Sequence, residues 1–263
     1  MTLVPRMVAF SVPKAGNTDA EWEDGVATDP GHPGSGRPVR VAIADGATAA
    51  YGARRWAAEL TAGFASPRTA PAGLDPTMLT HWFGDRQAAW SEGCPAVGTV
   101  LEELKVAEGS FATFAGCVLD VLAGPGARWE AATLGDSVLF HVRSGALVAH
   151  LPPLGPDDFG RDPAGAFTRP DALLQMAQDL VCGRGELVPG DHLFLATDAL
   201  AQWMVRRADK PETWEFLARL SHPAEFSRFV TTERDADAMT NDDVTLLRVS
   251  LSPTAPRRLV VCR

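Results

Sequence analysis

No two of the four cysteines, Cys94, Cys117, Cys182 and Cys262, form a Cys-x-x-Cys pair, which excludes zinc-finger and thioredoxin-type chemistry. The chain lacks a Gly-rich phosphate loop, a His-Glu-x-x-His pair and a Gly-x-Ser-x-Gly elbow, so nucleotide-triphosphate, zinc-protease and serine-hydrolase readings have no anchor. No segment approaches the ~20 consecutive apolar residues of a membrane span, and nothing signal-like follows Met1; the expectation is a cytoplasmic chain without a membrane partner. Positive charge is also scarce: 24 Lys and Arg stand against 33 Asp and Glu, a formal charge of −9, which argues against nucleic-acid binding. The sequence leaves the oligomeric state open.

What is present is a set of apolar, β-branched runs that meet carboxylates at their ends. Val39 to Ala44 runs into Asp45-Gly46, Ala131 to Leu134 into Gly135-Asp136-Ser137, and Leu193 to Ala196 into Thr197-Asp198. A fourth run, Val244 to Val249, is entered from Asp242-Asp243. Asp and Gly at a strand end ordinarily make a turn. Four strands that each offer an acid at a terminus exceed what turn chemistry needs, and oxygen ligands without His or Cys select magnesium or manganese.

In chain order, strands are expected over 7–12, 25–28 and 39–46, and helices over 49–64, 76–92 and 99–106. Tyr51, Trp56, Leu60 and Phe64 lie along one helix face and read as packing. The segment 29–38 is a Pro/Gly-rich hairpin connection in which His32 reads as an exposed loop residue, and 109–119 is a long central strand that places Cys117 in the core. The runs 128–133 and 138–142 read as a hairpin across Gly135-Asp136-Ser137, extended by 146–150. Residues 151–170 read as an irregular insertion and candidate substrate contact. Helices follow over 199–206, 211–220 and 224–232, then strands over 244–251 and 258–261. Strands first and last with helices between them fit an α+β fold of two packed antiparallel sheets.

In their order, Glu23-Asp24, Asp45-Gly46, Gly135-Asp136-Ser137, Thr197-Asp198 and Asp242-Asp243 resemble the motifs of the metal-dependent serine/threonine protein phosphatases of type 2C. The resemblance spans almost the whole chain and implies a single phosphatase 2C-like domain over 1–263 with a four-layer α-β-β-α sandwich. It implies a binuclear manganese or magnesium centre, with room for a third ion, that activates a water to hydrolyse phosphoserine or phosphothreonine in a phosphoprotein substrate. Asp45 would bridge the two ions, Gly46 would bind one through its carbonyl, and Asp198 and Asp242 would complete the other. Glu23 would orient bound waters and Asp136 would serve the third position.

The chain departs from the family pattern at Ala47-Thr48-Ala49 and Ala199, where glycines are usual, and at Asp19, where a phosphate-binding arginine is expected four residues before Glu23. Lys14, just beyond the first strand, is the candidate replacement for that arginine, with Arg54 and Arg55 as alternatives. Two other readings stay open: a pseudophosphatase that serves as a binding module, and a phosphoesterase for small molecules.

Overall fold

The structure is a computed structural model that describes residues 4–32, 36–48, 50–93, 99–121, 126–160, 163–252 and 259–262. Among the described residues twelve strands fall into two six-stranded sheets. The first has the order β12 (Leu259–Cys262), β1 (Val4–Val12), β11 (Val244–Ser252), β10 (His192–Ala196), β6 (Val138–Arg143), β7 (Ala146–Leu151). The second runs β2 (Gly25–Asp29), β3 (Val39–Gly46), β4 (Phe111–Val121), β5 (Ala127–Leu134), β9 (Val181–Leu187), with the short β8 (Ala166–Phe167) pairing to the start of β4. Pairing is antiparallel throughout except between β1 and β12, which run parallel.

The layering follows from the two-residue period of a strand. On β1, Met7 and Ala9 face inward to meet Val41 and Ile43 of β3 and Cys117 of β4, forming the core between the sheets. Their neighbours Val8 and Phe10 face outward, where Phe140, Phe194 and Leu246 join them under the helices α5 (Asp198–Val205), α6 (Pro211–Arg219) and α7 (Pro223–Asp235). On the other side Ala42, Ala44 and Phe114 are covered by α1 (Ala53–Ala65) and α2 (Pro76–Glu92) through Trp56, Leu60, Phe64, Trp82 and Phe83. Trp56, Leu60 and Phe64 are fully buried, and each contributes about 1.5–3 kcal/mol of transfer free energy. The result is the four-layer α-β-β-α sandwich expected from the sequence, an α+β fold. No described helix is long and apolar enough to cross a membrane.

Several local expectations are corrected. The Gly135-Asp136-Ser137 segment does not close a hairpin: β5 pairs with β4 and β9, whereas β6 pairs with β10 and β7, so the chain crosses from one sheet to the other there. Next to the crossing both runs are buried at every position, over residues 131–134 and 138–142, so periodicity does not tell one sheet from the other there. The true hairpin is β6–β7. Residues 151–170 contain β8, and two further elements follow, α4 (Leu173–Asp179) and β9. The first helix begins at Ala53 rather than at residue 49; Ala49 itself lies outside the described residues, as do Pro33 to Ser35, Cys94, Arg161, Asp162 and Arg258. The short α3 (Val100–Glu108) is separate from α2. Cys117 is buried, as expected for a core thiol, and burial pushes its ionisation far above the usual range.

Candidate metal centre

Antiparallel pairing brings the acidic motifs to one end of the sandwich. The end of β1 lies beside the start of β11, through Val12 and Val244, and the end of β10 lies beside that same start, through Ala196 and Leu246. In the facing sheet Gly25 at the start of β2 is opposite Ala44, Asp45 is opposite Thr113, and Phe114 is opposite Leu134 at the end of β5. Lys14, Glu23, Asp45, Asp136, Asp198 and Asp242 therefore all come from strand ends on one edge.

That edge holds a pocket of about 610 Å³ lined by Lys14, Asp45, Gly46, Asp136, Asp198 and Asp242, with Phe111 and Phe159 on its apolar wall. Glu23 is not on the lining; its carboxylate accepts a hydrogen bond from Thr48, which is. Gly46 admits no side chain, because a Cβ would stand 2.8 Å from the Glu23 carbonyl oxygen and 2.9 Å from the Ala53 backbone. Asp198 opens α5, where the helix N-terminus favours its negative charge, and its Oδ1 accepts the Ala199 amide at 2.5 Å. Ala199 sits within the helix, so the glycine usual at that position is not needed here.

The carboxylates are electrostatically crowded. Burial holds the Asp45 carboxyl well above the usual range, and the neighbouring charges of Asp24, Asp198, Asp136 and Asp242 add to the effect. Burial, then Asp198, pushes Asp136 up to about 7. Asp198 is pushed up to about 6 by burial and by Asp242, while a hydrogen bond from Asp45 opposes the rise. Glu23 is raised by burial, with Asp243 and Asp242 adding to it.

Buried carboxylates this close need cations or protons. Two of their oxygens, Asp24 Oδ1 and Asp136 Oδ1, are buried without a hydrogen-bond partner in the structure. No three described His, Cys, Asp or Glu side chains stand close enough together to form a ready metal-holding cluster. The all-oxygen donor set around an open pocket fits a hard divalent cation that keeps some of its water.

Lys14 is the only Lys or Arg among the described residues on the pocket lining, with Nζ 3.8 Å from Asp242 Oδ1. Neither alternative arginine reaches the lining. Arg54 donates to the Ala20 carbonyl oxygen, and Arg55 lies over the Trp90 ring and donates to the Trp90 carbonyl oxygen.

Asp24 and Asp243, the second acids of their pairs, turn inward to brace the site. Asp24 Oδ2 accepts the hydroxyls of Thr245 at 2.6 Å and Thr197 at 3.1 Å, and Asp243 accepts the amides of Lys14 and Glu23. Ser137 pairs with Thr113 at 2.7 Å. Sequence reasoning missed Arg234 of α7, which donates to the carbonyl oxygens of Pro13 and Asp242. An arginine inside a helical run carries no mark of such a tertiary contact. It also missed Gln202, whose Nε2 holds the Pro156 carbonyl oxygen and so ties the 152–160 loop to α5.

A scan against protein-family models finds no match, and a search of curated proteins finds none. Solved structures do match. The catalytic domain of the serine/threonine protein phosphatase PstP, in complex with two manganese ions, aligns at a TM-score of 0.60 and 19% identity over 95% of this chain and 99% of that one. The Mycobacterium tuberculosis phosphatase PstP/Ppp aligns at 0.58 and 18% identity, covering 94% and 98%. The photosystem II phosphatase PBCP aligns at 0.58 and 13% identity, covering 95% and 100%. The chain has the fold of the type 2C serine/threonine phosphatases.

Proposed function

We propose that this chain is a single-domain, manganese- or magnesium-dependent phosphatase acting on phosphoserine and phosphothreonine in proteins. The observation that carries the reading is the convergence of Asp45, Asp136, Asp198 and Asp242 on one pocket that a single lysine accompanies. Its fold neighbour PstP is a serine/threonine protein phosphatase in complex with two manganese ions, and this supports the choice of metal.

In this reading Asp45, the Gly46 carbonyl, Asp198 and Asp242 would hold the divalent ions. Asp136 would serve a further, weaker position. Glu23 acts on water at the rim together with Thr48, its hydrogen-bond partner. When bound, the ions supply positive charge to the phosphoryl group and lower the pKa of water. Lys14 contributes a point charge to the phosphate without the two-pronged geometry of an arginine, so phosphate is bound less tightly and with less orientation. Thr197 and Ser137 are not nucleophiles; their hydroxyls are engaged with Asp24 and Thr113, and no His accompanies either in the pocket lining.

A binding module without turnover is the second reading. It draws on one observation, that Lys14 is the lone described cation on the lining and already faces Asp242. Hydrolysis of p-nitrophenyl phosphate and of a phosphothreonine peptide, each with manganese and with EDTA, separates the two. The phosphatase reading expects manganese-dependent turnover that EDTA abolishes, and no turnover in manganese contradicts it. Turnover of p-nitrophenyl phosphate alone would move the assignment to a small-molecule phosphoesterase.

A further inference from the structure

We infer that Asp243 is a positioning residue that holds both Lys14 and Glu23 at the metal pocket by accepting their two backbone amides. The inference rests on the proposed function for what those two residues do, but the bracket itself stands on geometry. Asp243 is 7% exposed, and its carboxyl oxygens divide their work: Oδ1 accepts the Lys14 amide at 2.8 Å and Oδ2 accepts the Glu23 amide at 2.6 Å. No ion pair is seen at Asp243 among the described residues; backbone amides take the place of a cation.

The two amides bound an excursion of the chain between the end of β1 at Val12 and the start of β2 at Gly25. Inside it the only regular element is a single 3-10 turn at Asp19–Glu21. Nothing in such a segment would fix its ends against the pocket, and hydrogen bonds from amides to a carboxylate are among the stronger ones available. The start of the excursion makes further contacts. Asn241 Oδ1 accepts the Ala15 amide at 2.8 Å, and Arg234 links the Pro13 and Asp242 carbonyl oxygens from α7. Asp242, a proposed metal ligand, is the adjacent residue, so the ligand, the phosphate-side lysine and Glu23 move as one body.

The chemistry of the acceptor makes the inference sharp. An Asn at 243 has nearly the same shape but one acceptor oxygen, so it can serve only one of the two amides and must turn its NH2 toward the other. Amide hydrogen exchange of wild type, Asp243→Asn and Asp243→Ala reads this directly. In wild type the Lys14 and Glu23 amides are protected. In Asp243→Ala both lose protection while β11 amides keep theirs, and in Asp243→Asn one of the two does.

Calorimetric titration with manganese should show affinity lowered about tenfold or more in either variant, the usual effect of removing a group that orients metal-site residues. Turnover of a phosphothreonine peptide should show KM raised more than kcat is lowered, because Lys14 meets the bound phosphate. If Asp243→Ala does not fold, Asp243→Asn carries the test. Unchanged protection of both amides, or lost protection with manganese affinity and KM as in wild type, overturns the positioning role. Wild type that binds manganese but hydrolyses no phosphopeptide overturns the phosphatase reading instead. The bracket is then decided by exchange and manganese affinity.

Discussion

Asp45 and Asp198, acids carried by facing sheets, meet side chain to side chain where the proposed function places divalent ions. Their burial and mutual repulsion make the fold sensitive to pH. Asp136 titrates near 7 and Asp198 near 6, both raised chiefly by burial, against about 3.9 for an aspartate in an unfolded chain.

Between about pH 4 and pH 7 the folded chain therefore holds protons that the unfolded chain has released. Through these two groups its stability falls as pH rises across that window. Urea unfolding in EDTA is expected to give a lower midpoint at pH 7.5 than at pH 5, and Asp136→Asn should flatten the difference. A midpoint that rises with pH would contradict the crowding.

Manganese should reverse this trend by replacing the protons. At a free concentration 100 times the dissociation constant at pH 7.5, one site adds about 2.7 kcal/mol, and the same concentration should add less at pH 5 because protons compete for the same oxygens. Thermal unfolding with and without manganese at the two pH values checks both. An unchanged melting temperature would count against a formed site.

Lys14→Ala tests the source of phosphate affinity. Removing a hydrogen bond to a charged group costs about 1.5–3 kcal/mol, seen as a raised KM or a lowered kcat/KM with manganese affinity little changed. Kinetics indistinguishable from wild type would remove Lys14 from the reaction.

Gly46→Ala is a steric test of the same corner. The added methyl would overlap the Glu23 carbonyl and the Ala53 backbone, and relief requires β3 and α1 to part. Overpacking of this kind costs about 1–3 kcal/mol, so a lower urea midpoint is expected even in EDTA. A midpoint equal to wild type would mean that this corner is looser than described.

Much of this architecture is legible in the residues. The helix expected over 76–92 is found as Pro76–Glu92, since Asp75 caps it through the Met78 amide and Pro76 opens it. The acidic strand ends could be placed on one edge because antiparallel strands alternate direction. The sheet crossing at Gly135 could not be read, because apolar runs covered on both faces carry no sheet label. Strand β9 was hidden by its glycines. At Gly185 a Cβ would stand 2.8 Å from the Trp129 ring, so a tryptophan on the neighbouring strand removes the β-forming residue that would have announced the element. The role of Asp243 could not be read beside Asp242, because sequence shows charge but not which amides a carboxylate will meet.

The most direct measurement is turnover of a phosphothreonine peptide at saturating manganese by wild type and Asp198→Asn, with melting temperatures recorded for both in EDTA. The account predicts manganese-dependent hydrolysis by wild type that EDTA abolishes, and loss of that activity in Asp198→Asn with the fold retained, since one ligand charge is removed at nearly constant volume. Activity that survives the substitution, or hydrolysis by wild type that is indifferent to metal, would contradict it.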